Sequence, residues 1–183
     1  MSLKHAILGF LSLQPFTGYD LKKAFDGSVR HFWSADQSQI YRTLDQIVEA
    51  GWAEVELVEQ ATRPNRKVYH VTPTGRAELQ RWLTSPLAHR EEHEPFLVQL
   101  FFASGLPDAE VEALLEREAD DARAQLAVYE QIRQQYPATS RQQAFVMLTL
   151  DYGIQSTQAR LTWIEQVLAQ LRRGDTLLSR ANN

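Results

Sequence analysis

Thr17-Gly18-Tyr19-Asp20-Leu21 opens the stretch that decides the fold, and Val71-Thr72-Pro73-Thr74-Gly75-Arg76 leads into the helix that closes it. Thr17 and Asp20 have the Thr-x-x-Asp spacing of a capping box, after which Leu21, Ala24 and Phe25 line one apolar helical face. Ser34-Ala35-Asp36-Gln37 is a second start signal, followed by Ile40, Leu44 and Ile47 at helical spacing and a stop at Gly51. Ala53, Val55 and Leu57 then alternate with Glu54 and Glu56, which predicts a half-buried strand. A polar turn, Arg63-Pro64-Asn65-Arg66-Lys67, leads to a second strand over Val68 to Val71. Thr72 caps the closing helix, with Pro73 at its first position and Leu79, Trp82 and Leu83 further along. Two short helices, a hairpin with a basic tip and a closing helix make a winged helix-turn-helix, the architecture of a major-groove reader.

The recognition helix is expected from about Ala35 to Ala50. Since Ile40, Leu44 and Ile47 face inward, the outward surface falls to Gln37, Ser38, Gln39, Tyr41, Arg42 and Asp45. Gln and Ser near a helix N-terminus can meet base edges, and Tyr41 and Arg42 can bond phosphates or bases. Arg63, Arg66 and Lys67 cluster at the hairpin tip, where cationic side chains can enter the minor groove or clamp the backbone. A polar helix face or a charged turn means little alone; placed side by side they point to DNA.

Around this segment lie a first helix from about Leu3 to Leu13, with Ile7, Leu8 and Leu11 inward, and a second half that is all helical. The expected division is a DNA-binding domain over 1–85, a linker over 86–95 between Pro86 and Pro95, and a helical dimerisation domain over 96–183. Phe96 to Ala103 reads as a short apolar helix ending near Gly105. Pro107 begins a long helix to about Gln135, and Pro137 breaks it. Ser140-Arg141-Gln142-Gln143 opens the last helix with a further capping box. Its apolar positions Met147, Leu150, Ile154, Leu161, Ile164, Leu168 and Leu171, with Thr157 added, alternate by three and four, the seam of a coiled coil. Leu115, Ala119, Ala122, Leu126 and Tyr129 give the preceding helix a looser version. A last helix of roughly 50 Å, at ~1.5 Å per residue, is too long to bury its seam on so small a domain. The seam therefore predicts a homodimer, an intramolecular bundle being the alternative.

With 183 residues, 44% of them hydrophobic, the chain can bury one substantial core or two small ones. It has no cysteine, which excludes disulfides, thiolate nucleophiles and cysteine-ligated zinc. The net charge of −4 divides unevenly: residues 1–85 hold 10 Lys/Arg and 9 Asp/Glu, residues 86–183 hold 9 and 14. Affinity for phosphate follows the local charge facing the duplex, so the acidic total does not exclude DNA. Neither a bilayer-spanning run nor a signal peptide is apparent, and a cytoplasmic protein without membrane contact is expected.

His89-Arg90-Glu91-Glu92-His93 matches the H-x-x-E-H pattern of zinc peptidases, but it sits in a charged linker with no apolar face to bury it. No nucleophile and base are paired elsewhere, so no enzyme, metal or cofactor is expected. Trp33, Trp52, Trp82 and Trp163 read as core or interface. Trp163 has a second reading: with Phe96, Phe101 and Tyr152 it can line an apolar effector pocket, with Arg160 as the cation for an acidic ligand.

The first half resembles the PadR family of bacterial transcriptional regulators. The resemblance rests on Ala6-Ile7-Leu8-Gly9-Phe10-Leu11, Thr17 to Leu21, Ile40-Tyr41-Arg42-Thr43-Leu44, Glu49-Ala50-Gly51-Trp52 and Arg66 to Arg76. The helical half is similar to the C-terminal dimerisation domain of longer PadR-like proteins. MarR-like regulators share the wing but usually carry dimerisation helices before the winged helix as well. The resemblance implies a homodimeric repressor on a pseudo-palindromic double-stranded operator, with Tyr19 and Tyr41 near DNA. Some members bind small aromatic effectors between their domains. A protein-interaction adaptor that keeps the winged helix without reading DNA is the alternative, and would need exposed apolar residues on the recognition helix.

Overall fold

The computed structural model describes residues 2–59, 65–87, 93–136 and 139–174. The chain falls into two compact units, Met1–His89 and Arg90–Asn183.

In the first unit α1 (Ser2–Leu13) buries Ile7, Leu8 and Leu11, and α2 (Gly18–Asp26) buries Leu21 and Phe25. These meet Ile40, Leu44 and Ile47 of α3 (Gln37–Glu49) in one apolar cluster with Ala53 and Tyr69. Local chemistry sets the ends of α3. Asp36 accepts from the Gln39 amide at 2.7 Å, and the Gln39 side chain accepts from the Asp36 amide at 3.0 Å. That box starts the helix at Gln37, two residues later than the spacing from Ser34 implied. At the far end Gly51 takes φ +71°, the Gly51 amide donates to Val48 O and the Trp52 amide to Ile47 O. This Schellman arrangement satisfies the last carbonyls and turns the chain into the sheet.

The sheet is antiparallel in the order β1-β3-β2, from β1 (Phe16–Thr17), β2 (Ala53–Val58) and β3 (Arg66–Val71). Ala53 pairs with Val71 and Val58 with Arg66, while Phe16 pairs with Tyr69 and Thr17 with Val68. The alternation of β2 does not make it half-buried as expected. Only Ala53 is buried, and Leu57 is 63% exposed, because the ribbon projects beyond the helices that form the core. In α4 (Pro73–Thr84) the Thr72 hydroxyl accepts from the Gly75 amide and donates to Gly51 O. A Cβ on Gly75 would collide with the Trp52 carbonyl, so this glycine is required by close approach. Leu79 and Trp82 are half-buried, whereas Leu83 faces out.

His5 on α1 stacks on Trp82 at 4.6 Å and meets Glu78 Oε1 at 3.1 Å. Glu78 also accepts twice from Arg81. Those Arg81 bonds, then the His5 contact, hold the Glu78 carboxyl down at about 2. The cluster ties α1 to α4.

The second unit holds α5 (Pro95–Phe101), α6 (Asp108–Gln135) and α7 (Arg141–Arg172). α5 is shorter than expected, since the chain tightens into a 3-10 turn over Ala103–Gly105. Ser140 caps α7 by accepting from the Gln143 amide, but the reciprocal half of the box is shifted: the Gln143 side chain accepts from Thr139 instead.

The long helices correct the seam argument. Leu161, Ile164 and Leu168 pack with Leu115, Ala119 and Ala122 of the same chain, and Leu150 is buried as well. Met147, Ile154 and Leu171 are half-buried. Since α6 is itself 28 residues long, it supplies the surface that a partner was thought to provide. Arg123 bridges to Glu165 at 2.9 Å, and Arg172 reaches Glu112 and Glu116, fixing the register of α7 on α6. Periodicity correctly marks which face is buried; it does not require a second chain to bury it.

Candidate nucleic-acid interface

Three elements converge on one side of the first unit. The register of β1 on β3 brings the start of α2 beside the outer half of the wing, next to Lys67 and Arg66. The third side is α3, where Tyr41 and Asp45 stand one turn apart. Together they line an open concavity of about 680 Å³, formed by Thr17, Gly18, Tyr19, Asp20, Tyr41, Asp45, Asn65, Arg66, Lys67 and Tyr69.

Four of the expected contact residues therefore come together: Tyr19, Tyr41, Arg66 and Lys67. Tyr19 is 67% exposed and Tyr41 38%. The Tyr41 ring lies directly over Gly18, where a Cβ would run into it, so this glycine sets the height of the tyrosine. Gln37, Ser38, Gln39 and Arg42 are exposed along α3 outside the concavity. Gln39 is partly committed, since its side-chain oxygen closes the capping box and leaves only its NH₂ group for other partners. Among the described residues Arg42 and Lys67 have no ion pair. Arg63, expected at the wing tip, lies outside the described residues, as does the His89-to-His93 pattern apart from His93.

Asp45 belongs to the outward face expected of the recognition helix, whereas Asp20 and Tyr69 were not expected at this surface. Asp20 was legible only as a cap, yet its carboxylate also accepts from the Thr17 hydroxyl at 2.7 Å and from Arg66 Nη2 at 3.0 Å. Tyr69 is 3% exposed, and burial, then the Asp45 carboxylate, then Tyr41 raise its hydroxyl above the usual phenol range. It stays a neutral phenol.

Of the expected effector set, Phe96 and Trp163 come together in the second unit. Phe96 is buried, with its ring edge-on to Trp163 at 6.3 Å. Phe101 meets Phe102 edge-on and faces out, Tyr152 is 75% exposed, and Arg160 turns to Glu118 at 3.8 Å. The five residues are on α5 and α7 of the second unit, and helical spacing along one element does not decide which faces of two helices meet.

Residues 7–81 match the family described as Transcriptional regulator PadR-like family, and residues 92–172 match Virulence activator alpha C-term. The virulence activator AphA of Vibrio cholerae is 33% identical and superposes with a TM-score of 0.74, over 94% of this chain and 99% of that one. The chain belongs to the PadR-like family of transcriptional regulators. Its fold is a winged helix-turn-helix followed by a helical C-terminal domain, as in that structure. The PadR-like chain is also similar to Bacillus subtilis PadR, a negative transcriptional regulator, at 28% identity over 92% of this chain and 97% of that protein. PadR in complex with operator DNA superposes with a TM-score of 0.86, at 27% identity over 93% of this chain and 99% of that chain. PadR in complex with p-coumaric acid gives 0.77, at 25% identity over 93% and 95%. A probable transcriptional regulator of Mycobacterium tuberculosis is 46% identical over 88 residues. That match spans 48% of this chain and about half (47%) of that protein. No helix among the described residues is long and apolar enough to cross a membrane.

Proposed function

We propose that this PadR-like chain is a homodimeric, ligand-responsive repressor that reads a pseudo-palindromic operator in the cytoplasm. The observation that carries this reading is the concavity at the exposed edge of α3, where Tyr19 and Tyr41 share one surface with Arg66 and Lys67 of the outer half of the wing. Ser38 and Arg42 are free to address base edges, and the wing cations to address phosphate. The likeness to PadR bound to operator DNA supports the same reading. The adaptor alternative is disfavoured, since the outward surface of α3 is Gln37, Ser38, Gln39, Arg42 and Asp45 beside one tyrosine. Nor do the residues support an enzyme: the Thr17 hydroxyl that donates to the Asp20 carboxylate is the N-cap of α2, accepting from the Asp20 amide.

For the dimer, support passes from the filled seam to apolar side chains that the chain leaves uncovered. Phe145, Val146, Leu148 and Tyr152 lie exposed on the first half of α7, and Leu97, Val98, Phe101 and Phe102 on and after α5. Phe145, Leu148 and Tyr152 follow the spacing of one helical face, and a contiguous exposed apolar stripe of this kind marks an interaction surface. A small aromatic acid is the proposed effector class, after the relative solved with p-coumaric acid.

Selection of genomic fragments on the purified protein tests the reading. A small set of fragments sharing an inverted repeat, bound more weakly as salt rises, is the expected result. Recovery of no fragment above background would overturn it.

A further inference from the structure

We propose that Asp20 is a positioning residue for DNA binding: it holds one edge of the Arg66 guanidinium against α2 and leaves the other edge for a backbone phosphate. The inference rests on the DNA-binding reading above and adds to it a residue that carries the wrong charge to touch phosphate itself.

Arg66 begins β3, opposite Val58, at the point where the described hairpin ends. An arginine at such a place loses much side-chain freedom on binding unless something holds it beforehand. Asp20 does so from across the chain. Its Oδ2 accepts from Arg66 Nη2 at 3.0 Å and from the Thr17 hydroxyl at 2.7 Å. Thr17 is fixed in turn, because it accepts from the Asp20 amide at 3.1 Å and pairs with Val68 of β3. Thr17, Asp20, Arg66 and Val68 thus form a closed ring of cap, ion pair and strand pairing. Only Nη2 of Arg66 is engaged among the described residues, and Arg66 remains half exposed. A guanidinium has five donors in a planar fork, so one edge can rest on a carboxylate while the other meets phosphate. Asp45 is the remaining carboxylate of the concavity, and it acts on Tyr69.

The test is a double-mutant cycle on the selected operator, read by fluorescence anisotropy across a salt series. Asp20→Asn keeps the amide that Thr17 caps and nearly the same shape, and circular dichroism checks that it folds. Positioning predicts that Asp20→Asn weakens operator binding about fivefold to tenfold, or roughly 1–1.4 kcal/mol. In an Arg66→Ala background the same change should do nothing. Arg66→Lys should keep the salt slope, because the charge stays, yet lose affinity and its sensitivity to Asp20→Asn. Tighter binding by Asp20→Asn would show that the carboxylate only repels phosphate. Equal weakening in both backgrounds would show a merely structural role. Either overturns the proposal while leaving the DNA reading intact, whereas a wild-type chain that binds no DNA overturns both.

Discussion

At the scale of single residues, steric fit and local charge set the behaviour of the winged unit. Gly18 is needed because the Tyr41 ring occupies the space a side chain would take, not because its backbone is unusual. Gly18→Ala must push Tyr41 off its place. The expected result is weaker operator binding with a modest loss of stability, on the order of 1–3 kcal/mol for an overpacked contact; unchanged affinity would separate Tyr41 from the interface. Glu78 makes a prediction about pH. Its carboxyl is depressed from an ordinary 4.5 to about 2, so its contribution to stability is complete above pH 4.5 and is lost as pH falls toward 2. Glu78→Gln should therefore flatten the dependence of melting temperature on pH in that window, and leave it unaltered in shape above pH 5. A wild-type curve already flat between pH 4.5 and 2 would show that the Arg81 and His5 contacts contribute nothing to folding.

Among elements, the helix boundaries were the most legible part of the fold, because caps are local. Thr17, Thr72 and Ser140 each cap the helix their spacing implied, and Gly51 ends α3 where a left-handed residue was expected. The α3 box is nevertheless built on Asp36, since the side chain that reaches the third amide is the one whose own backbone is extended. Asp36→Ala should cost about 1 kcal/mol by denaturant unfolding. It should also weaken operator binding, since it frays the turn that carries Gln37 and Ser38. A variant as stable as wild type would mean that the box contributes little. The strand β1 was not legible, for a two-residue strand exists only through Phe16 and Thr17 pairing with residues some fifty positions away. Asp20 and Arg66, 46 residues apart, were hidden for the same reason. The coiled-coil pattern of α7 showed which face is buried but not whose atoms bury it. In this chain they belong to α6.

That difference matters for the whole molecule, because it separates folding of the helical unit from its association. Ile164 is fully buried within the chain, so Ile164→Ala should cost about 2–5 kcal/mol by chemical denaturation. Replacing Phe145 and Tyr152 by Glu should instead leave helicity intact and convert a dimer to a monomer in light scattering. If that double variant remains dimeric, the exposed face of α7 is not the interface. The effector reading has its own readout: in a chain retaining only Trp163, binding of an aromatic acid near the Phe96 ring should change the emission. A library of such acids that neither alters this emission nor shifts operator affinity would leave the Phe96–Trp163 pair as core alone. In the proposed complex two copies of the chain place two α3 helices on one operator. Hydroxyl-radical footprinting of the selected operator reads that arrangement from the DNA side. Two protected patches related by a dyad are expected, with centres about one turn (~34 Å) or a whole multiple of it apart; a single asymmetric patch, or none, would rule out a pair of α3 helices on the operator.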